Sequence, residues 1–182
     1  QGKNDPRVKV VEAEQIVAAL QLARTETVSR NDGVSFSILN TPGGASCHVV
    51  HTGQASDCAC DNDGTARCNA PGATLITAAL HHASVRASVS HSIRFDPRNG
   101  TATPTGTVVV RSTSGREVQN RVAITGRVRT CATADGLAGV ARCLHQRLGN
   151  HLLASERHDE HGRDVGMAAV GRQRLVRRVH VR

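Results

Sequence analysis

From residue 8 to residue 30, apolar side chains recur every three or four positions. Ala13, Ile16, Val17, Leu20, Ala23 and then Thr27 and Val28 fall on one side of a helical wheel, while Glu12, Glu14, Gln21, Arg24 and Arg30 take the other positions. The spacing predicts one amphipathic helix. Asn31, Asp32 and Gly33 follow as its stop, with Gly33 expected to take the positive φ that other residues resist.

Beyond the helix the period drops from about 3.6 to 2, the repeat of strands whose successive side chains point to opposite faces. Val34, Phe36 and Ile38 alternate with Ser35 and Ser37; Val85, Ala87 and Val89, then Ile93 and Phe95, repeat the pattern. Thr107 to Arg111 forms a more continuous strand, Ser112 to Gly115 a turn, and residues 116–125 the returning partner of a hairpin. An antiparallel sheet is expected. Residues 40–72, rich in Gly, Asn, Asp, Ser and Cys, read as a long irregular excursion. After Cys143 the pattern dissolves: Leu144, Leu148, Leu152 and Leu153 permit one amphipathic helical stretch, and Gly166 to Arg182 carries five Arg and no acid.

Charge sharpens this division. The formal net charge is +8. Residues 1–93 hold seven basic and eight acidic side chains, and residues 94–182 hold sixteen basic and seven acidic. The second half is therefore the part that attracts polyanions. Of the 23 basic residues 21 are Arg, and the only aromatic rings of the Phe, Tyr and Trp class are two Phe. A core can still be built from Val, Ile, Leu and Ala, but base-stacking modules that read single strands on exposed rings are excluded. Any nucleic-acid contact must go to phosphates. No apolar run reaches the eighteen residues of a membrane span, and no signal-peptide pattern opens the sequence at Gln1.

The six cysteines, an even count, suit an oxidising compartment. Cys131 and Cys143 enclose a short loop with Gly136 and Gly139, a natural disulfide. Cys47, Cys58, Cys60 and Cys68 are expected to form two bridges pinning the 40–72 segment, with three possible connectivities. The competing reading is zinc held by these thiolates with His48 and His51; without a C-x-x-C pair it is the weaker one. A calcium loop around Asp57, Asp61, Asp63 and Gly64 fails, because position twelve would be Ala70. No metal and no cofactor is expected.

The sequence holds no phosphate-cradling glycine loop, no G-x-S-x-G elbow and no H-E-x-x-H. His81, His82 and His91 lie near Ser84, Ser88 and Ser90, but no orienting acid stands out, and surface histidines are the simpler expectation. A non-enzyme follows. The informative stretch is Arg121 to Arg129. If it stays extended, Val122, Ile124 and Val128 share one face and Arg121, Arg127 and Arg129 the other, with Arg127 and Arg129 roughly 7 Å apart, a spacing that lets each engage its own phosphate. An edge strand kept soluble by charge explains the same pattern without a ligand.

Three ordered segments carry a family resemblance. Leu22 to Asn31, followed by Val34, resembles the end of the pilin helix in GspH/FimT-type minor pilins, with Ala23-Arg24-Thr25-Glu26 in place of an A-R-S-E-like segment. Ile93 to Gly100 is similar to the family's F-x-P-x-G-like turn, and Val122 to Cys131 resembles its closing strand with a G-R-x-R motif. The resemblance implies an α+β, type IV pilin-like fold, an N-terminal helix packed on antiparallel β-sheets. The implied pilin-like domain spans residues 1–143, with the helix at about 8–30 and strands at about 34–130. Residues 144–182 form a basic tail beyond the family pattern. It further implies a bacterial cell-envelope location, other major and minor pilins as partners, and an inner-membrane anchor through an N-terminal helix half missing from this sequence. In FimT-like members the G-R-x-R arginines bind double-stranded DNA during natural transformation. That role falls on Arg127 and Arg129, with Arg121 and Arg116 added here from face and proximity. The alternative is a purely structural minor pilin, or a type II secretion pseudopilin, that primes assembly without touching DNA.

Overall fold

The computed structural model describes residues 6–133 and 139–143, all within the unit spanning residues 1–145; the basic stretch 144–182 lies outside the described residues. One helix, α1 (Pro6–Arg30), precedes eleven described strands. These are β1 (Val34–Asn40), β2 (Ser46–Thr52), β3 (Cys58–Cys60), β4 (Ala66–Cys68), β5 (Leu75–Leu80), β6 (Val85–Val89), β7 (Ile93–Phe95), β8 (Ala102–Thr103), β9 (Gly106–Ser112), β10 (Glu117–Val122) and β11 (Val128–Ala132). They form a five-stranded sheet in the order β5-β2-β1-β7-β8, a four-stranded sheet in the order β11-β10-β9-β6, and the small hairpin β3-β4. Every strand pair is antiparallel. The architecture is α+β, a helix followed by antiparallel strands as the period change from 3.6 to 2 predicts, and it agrees with the pilin-like arrangement that the resemblance implies.

The helix lies against both larger sheets. Ala13, Ile16, Ala19, Leu20 and Ala23 are buried on its inner face, against Val34, Phe36 and Val50 of the first sheet and Val108, Val110, Val118 and Val122 of the second. Both phenylalanines are fully buried. A core without Tyr or Trp thus spends its two rings where β1 meets β7. Two polar residues fasten the helix. The Thr27 hydroxyl donates to Phe95 O (3.2 Å) and accepts from Val34 N–H (2.7 Å), tying the helix end to β1 and β7. Asn120, fully buried on β10, donates to Ala13 O (3.0 Å) and accepts from the Thr130 hydroxyl (2.7 Å).

Four expectations change. The 40–72 segment is not irregular: β2 is buried along its whole length and is the second strand of the large sheet. Cys47 and Val49 face the β3-β4 hairpin while Val50 faces the helix core, so neither side of β2 meets water and no alternation can appear in its sequence. The helix stop is made by Asn31, at φ 50°, and not by a positive φ at Gly33, over which the guanidinium of Arg94 lies where a Cβ would otherwise stand. Val28 is exposed. Glu12, expected on the polar side, is buried beneath β5 and the segment after it. There the His81 ring N–H donates to it at 2.7 Å and the His82 backbone N–H at 3.0 Å.

Candidate nucleic-acid interface

The six cysteines are all paired, Cys47–Cys60, Cys58–Cys68 and Cys131–Cys143. The first fastens the buried strand β2 to the hairpin above it. The second links directly opposed residues of β3 and β4, and the third brings the chain after residue 139 back alongside β11, where Cys143 N–H donates to Ala132 O (2.8 Å). The thiolates that the zinc reading needs are consumed by these bonds. Among the described residues no cluster of three His, Cys, Asp or Glu side chains is placed to hold a metal ion.

The histidines divide. His82 and His91 are exposed, bonded to the Ser84 hydroxyl (2.7 Å), and to the Ser90 hydroxyl (3.0 Å) and Thr105 O (2.9 Å), respectively. His81 is not a surface residue: it is buried, and its ring lies 5.2 Å from that of His48, which in turn stacks on Phe36 at 6.1 Å. Burial pushes the His48 ring down to about 4, with His81 acting in the same direction and Glu12 opposing. For Glu12 burial raises the pKa, but the bonds from His81 and the His82 N–H outweigh it and hold the carboxyl below its ordinary value. This is an internal polar strut, sealed from solvent.

The arginine stretch 121–129 is a hairpin, not one extended strand. Val122 ends β10, Ala123 to Arg127 make the turn, and β11 returns from Val128. The turn is closed by Ala123 N–H to Arg127 O (2.9 Å) and Gly126 N–H to Ala123 O (2.8 Å). Ile124, expected on the packed face, lies on this turn and is 62% exposed, while Val122 is buried. The turn rests on the loop that follows β7: Ala102 N–H donates to Ile124 O (2.8 Å), and a Cβ on Gly126, whose φ is +74°, would stand 2.6 Å from Gly100 O. Only glycine can close this contact.

The register then does what a single strand could not. Arg121 and Arg129 are direct cross-strand partners, and Arg127 stands on the turn two residues before Arg129. Like charges directly opposite one another cost stability, a few tenths to about 1 kcal/mol. Other arginines of the fold are engaged: Arg30 with Glu26, Arg67 with Asp61, Arg111 with Glu117, Arg86 with Gly44 O and Arg94 with Gly53 O. Arg121 is bonded through Nε and Nη2 to the Gln119 amide oxygen. It borders a cleft of about 620 Å³ with Ser88, Ser90 and Thr107. Arg127 and Arg129 are exposed, and among the described residues neither has a hydrogen-bond or ion-pair partner. Arg116 is not part of this group. It sits at the opposite end of β10, roughly 17 Å from Arg121 at the rise of an antiparallel strand.

By spacing alone Arg24 falls on the polar side of the helix with no role of its own. In the fold its side chain crosses Gly100 and Gly126, so that a Cβ on either would lie 3.0 Å from its Nε. With Gln21, Thr25, Gly126, Arg127 and Val128 it lines a groove of about 450 Å³. The signal was present in pieces. Arg24, Gly100 and the Gly126-Arg127 pair each belong to one of the three segments that carry the family resemblance.

Two solved structures, both of the type IV minor pilin FimU of Pseudomonas aeruginosa (strain PAO1), are similar to this chain. One is 21% identical over 64% of this chain and 83% of its own, with a TM-score of 0.44. The other is 19% identical over 66% and 94%, with a TM-score of 0.45. Comparison with curated proteins gives no match. The family model for type II transport protein GspH matches residues 12–126, from the buried carboxylate on α1 to the glycine of the β10-β11 turn. That span is well over half of the sequence, and it contains α1 from Glu12 onward, both larger sheets except β11, and the contact of Gly126 with Gly100: this chain belongs to the GspH family.

Proposed function

We propose that this protein is a minor pilin of a type IV pilus that binds double-stranded DNA without sequence preference and contributes to DNA uptake in natural transformation. Membership of the GspH family supports the coarser statement, a minor component of a type IV pilus or pseudopilus in the cell envelope. For the finer one, the carrying observation is the register that sets Arg121 opposite Arg129 with Arg127 beside them, Arg127 and Arg129 having no partner among the described residues. A row of phosphates neutralises that repulsion, and the planar guanidinium fork is suited to phosphate oxygens. Arg116, a strand length away, is a separate and weaker contact along the same duplex. Neither Phe is exposed, so no Phe ring is offered for stacking on bases, and the proposed contacts are those of guanidinium groups with the backbone. Other pilins are the expected protein partners, and the inner membrane the site of assembly.

Fluorescence anisotropy with two unrelated duplexes over a range of salt tests this. Log affinity falls with log salt at about −0.9 per phosphate contacted, so Arg127→Ala with Arg129→Ala flattens the slope by about 1.8, equally for both sequences. Salt-insensitive binding, or a double variant with the wild-type slope, overturns the reading. A second reading, a pseudopilin that primes assembly and leaves DNA alone, is favoured by one observation: the family match ends at Gly126, before Arg127 and Arg129. No retardation of duplex at low salt supports it.

A further inference from the structure

We infer that the groove between α1 and the β10-β11 turn is an anion site that takes one phosphate of a nucleic-acid backbone, with Arg24 as a ligand shared with Arg127. The inference deepens the DNA-binding reading and, for its natural ligand, rests on it. Arg24, Arg127, Gln21 and Thr25 line the groove with Gly126 and Val128, and no carboxylate lines it. The helix offers Arg24 no carboxylate either: positions three and four away are Leu20, Gln21, Thr27 and Val28, and Glu26, two away, does not face it and is bonded to Arg30 at 2.6 Å. Two guanidinium groups therefore line one polar groove, with no carboxylate among its described lining residues.

The stem of Arg24 runs across Gly100 and Gly126, two positions where a Cβ would stand 3.0 Å from Nε, so the absence of a side chain at both lets the guanidinium lie over the turn that carries Arg127. The Gln21 amide adds a donor. The Thr25 hydroxyl donates to Gln21 O (3.0 Å) and fixes the groove wall. A phosphate oxygen pair matches the fork of one Arg, and the second Arg reaches the same group from the turn. The cleft beside Arg121 lacks this arrangement, since its one cation is already bonded to Gln119.

Two experiments decide. The Nε–Hε signals of arginines in the ¹⁵N-labelled protein are titrated with inorganic phosphate at constant ionic strength; Arg24 and Arg127 should shift together along one binding curve. Duplex affinity is then measured against salt for Arg24→Gln and Arg24→Lys. We expect Arg24→Gln to weaken duplex binding on the order of tenfold and to flatten the salt slope by about 0.9. Arg24→Lys should restore the slope but not the full affinity, because it keeps the charge and loses the fork. If the double variant of Arg127 and Arg129 loses affinity while Arg24→Gln matches wild type, the groove is wrong and the DNA reading stands. If no duplex binds but phosphate shifts Arg24 and Arg127 together, the anion site stands and the DNA reading falls. Phosphate that leaves Arg24 unmoved overturns the groove without any variant having to fold.

Discussion

Acid should loosen this fold through one ring. His48 is 4% exposed on β2, its Nδ1 has no hydrogen-bond partner among the described residues, and its folded-state pKa is pushed from 6.5 to about 4 by burial. Above 6.5 the ring is neutral in both states and pH has no leverage on it. As pH falls from 6.5 to about 4 the unfolded chain takes up a proton that the folded chain refuses, so stability drops by about 1.4 kcal/mol per pH unit. Integrated, the loss is about 2 kcal/mol at pH 5 and about 3 kcal/mol at pH 4. Glu12 adds to it in a lower window. Its carboxyl is held below the ordinary 4.5, so the stability it contributes is present above 4.5 and is lost as pH falls through its lowered value. The assay is urea denaturation followed by circular dichroism, disulfides intact, at about pH 7, 6 and 5, for wild type and His48→Leu. Leucine has a similar volume, cannot titrate and removes a buried nitrogen without a partner, so the variant should match or exceed wild type at neutral pH. It should also lose about 2 kcal/mol less on going to pH 5. Parallel pH profiles for the two proteins would refute the reasoning.

Three further outcomes follow from the packing. Gly126→Ala places a Cβ 2.6 Å from Gly100 O at a φ of +74°; it should destabilise by at least about 1–2 kcal/mol in urea and lower duplex affinity by displacing the Arg127 turn. Asn120→Ala leaves Ala13 O and the Thr130 hydroxyl without their buried partner, a loss of about 2 kcal/mol that should appear as faster amide exchange in both α1 and β11. Replacing Cys131 and Cys143 together by Ser opens a loop of sequence separation 12 and should lower stability by about 3 kcal/mol. The urea midpoint should move while binding of short duplexes at low temperature does not. An unchanged midpoint would mean that the 134–143 segment adds nothing to the fold.

Much was readable from residue order because much of this fold is buried on one side only. Where an element has one wet face, its period is printed in the sequence: α1, β1, β6, β7 and β9 fall within a residue or two of their predicted limits, whereas β10, expected to run to residue 125, ends at Val122 where the turn begins. Where both faces are covered, no such period appears. Strand β2 lies between the helix and a disulfide-bonded hairpin, so Ser46, Cys47, His48 and Thr52 are as buried as Val49 and Val50, and its composition resembles that of a loop. Glu12 escaped for a related reason. A carboxylate can be buried only with partners, and its partners are 69 and 70 residues away.

The candidate site divides along the same line. Sequence alone determined that charge gathers in the second half and that no Tyr or Trp is present to stack on bases; it offered Arg121, Arg127 and Arg129 as candidates for the proposed phosphate contacts. Which of the three possible cysteine pairings forms, and that the arginines meet across a hairpin and not along one strand, was decided by tertiary structure, as was the position of Arg24 beside Arg127. The reason is distance along the chain. A side chain's period is set by its neighbours within a turn or a strand, but Arg24 meets Gly126 across 102 residues only because the Gly100 and Gly126 backbones touch, a contact with no local signature.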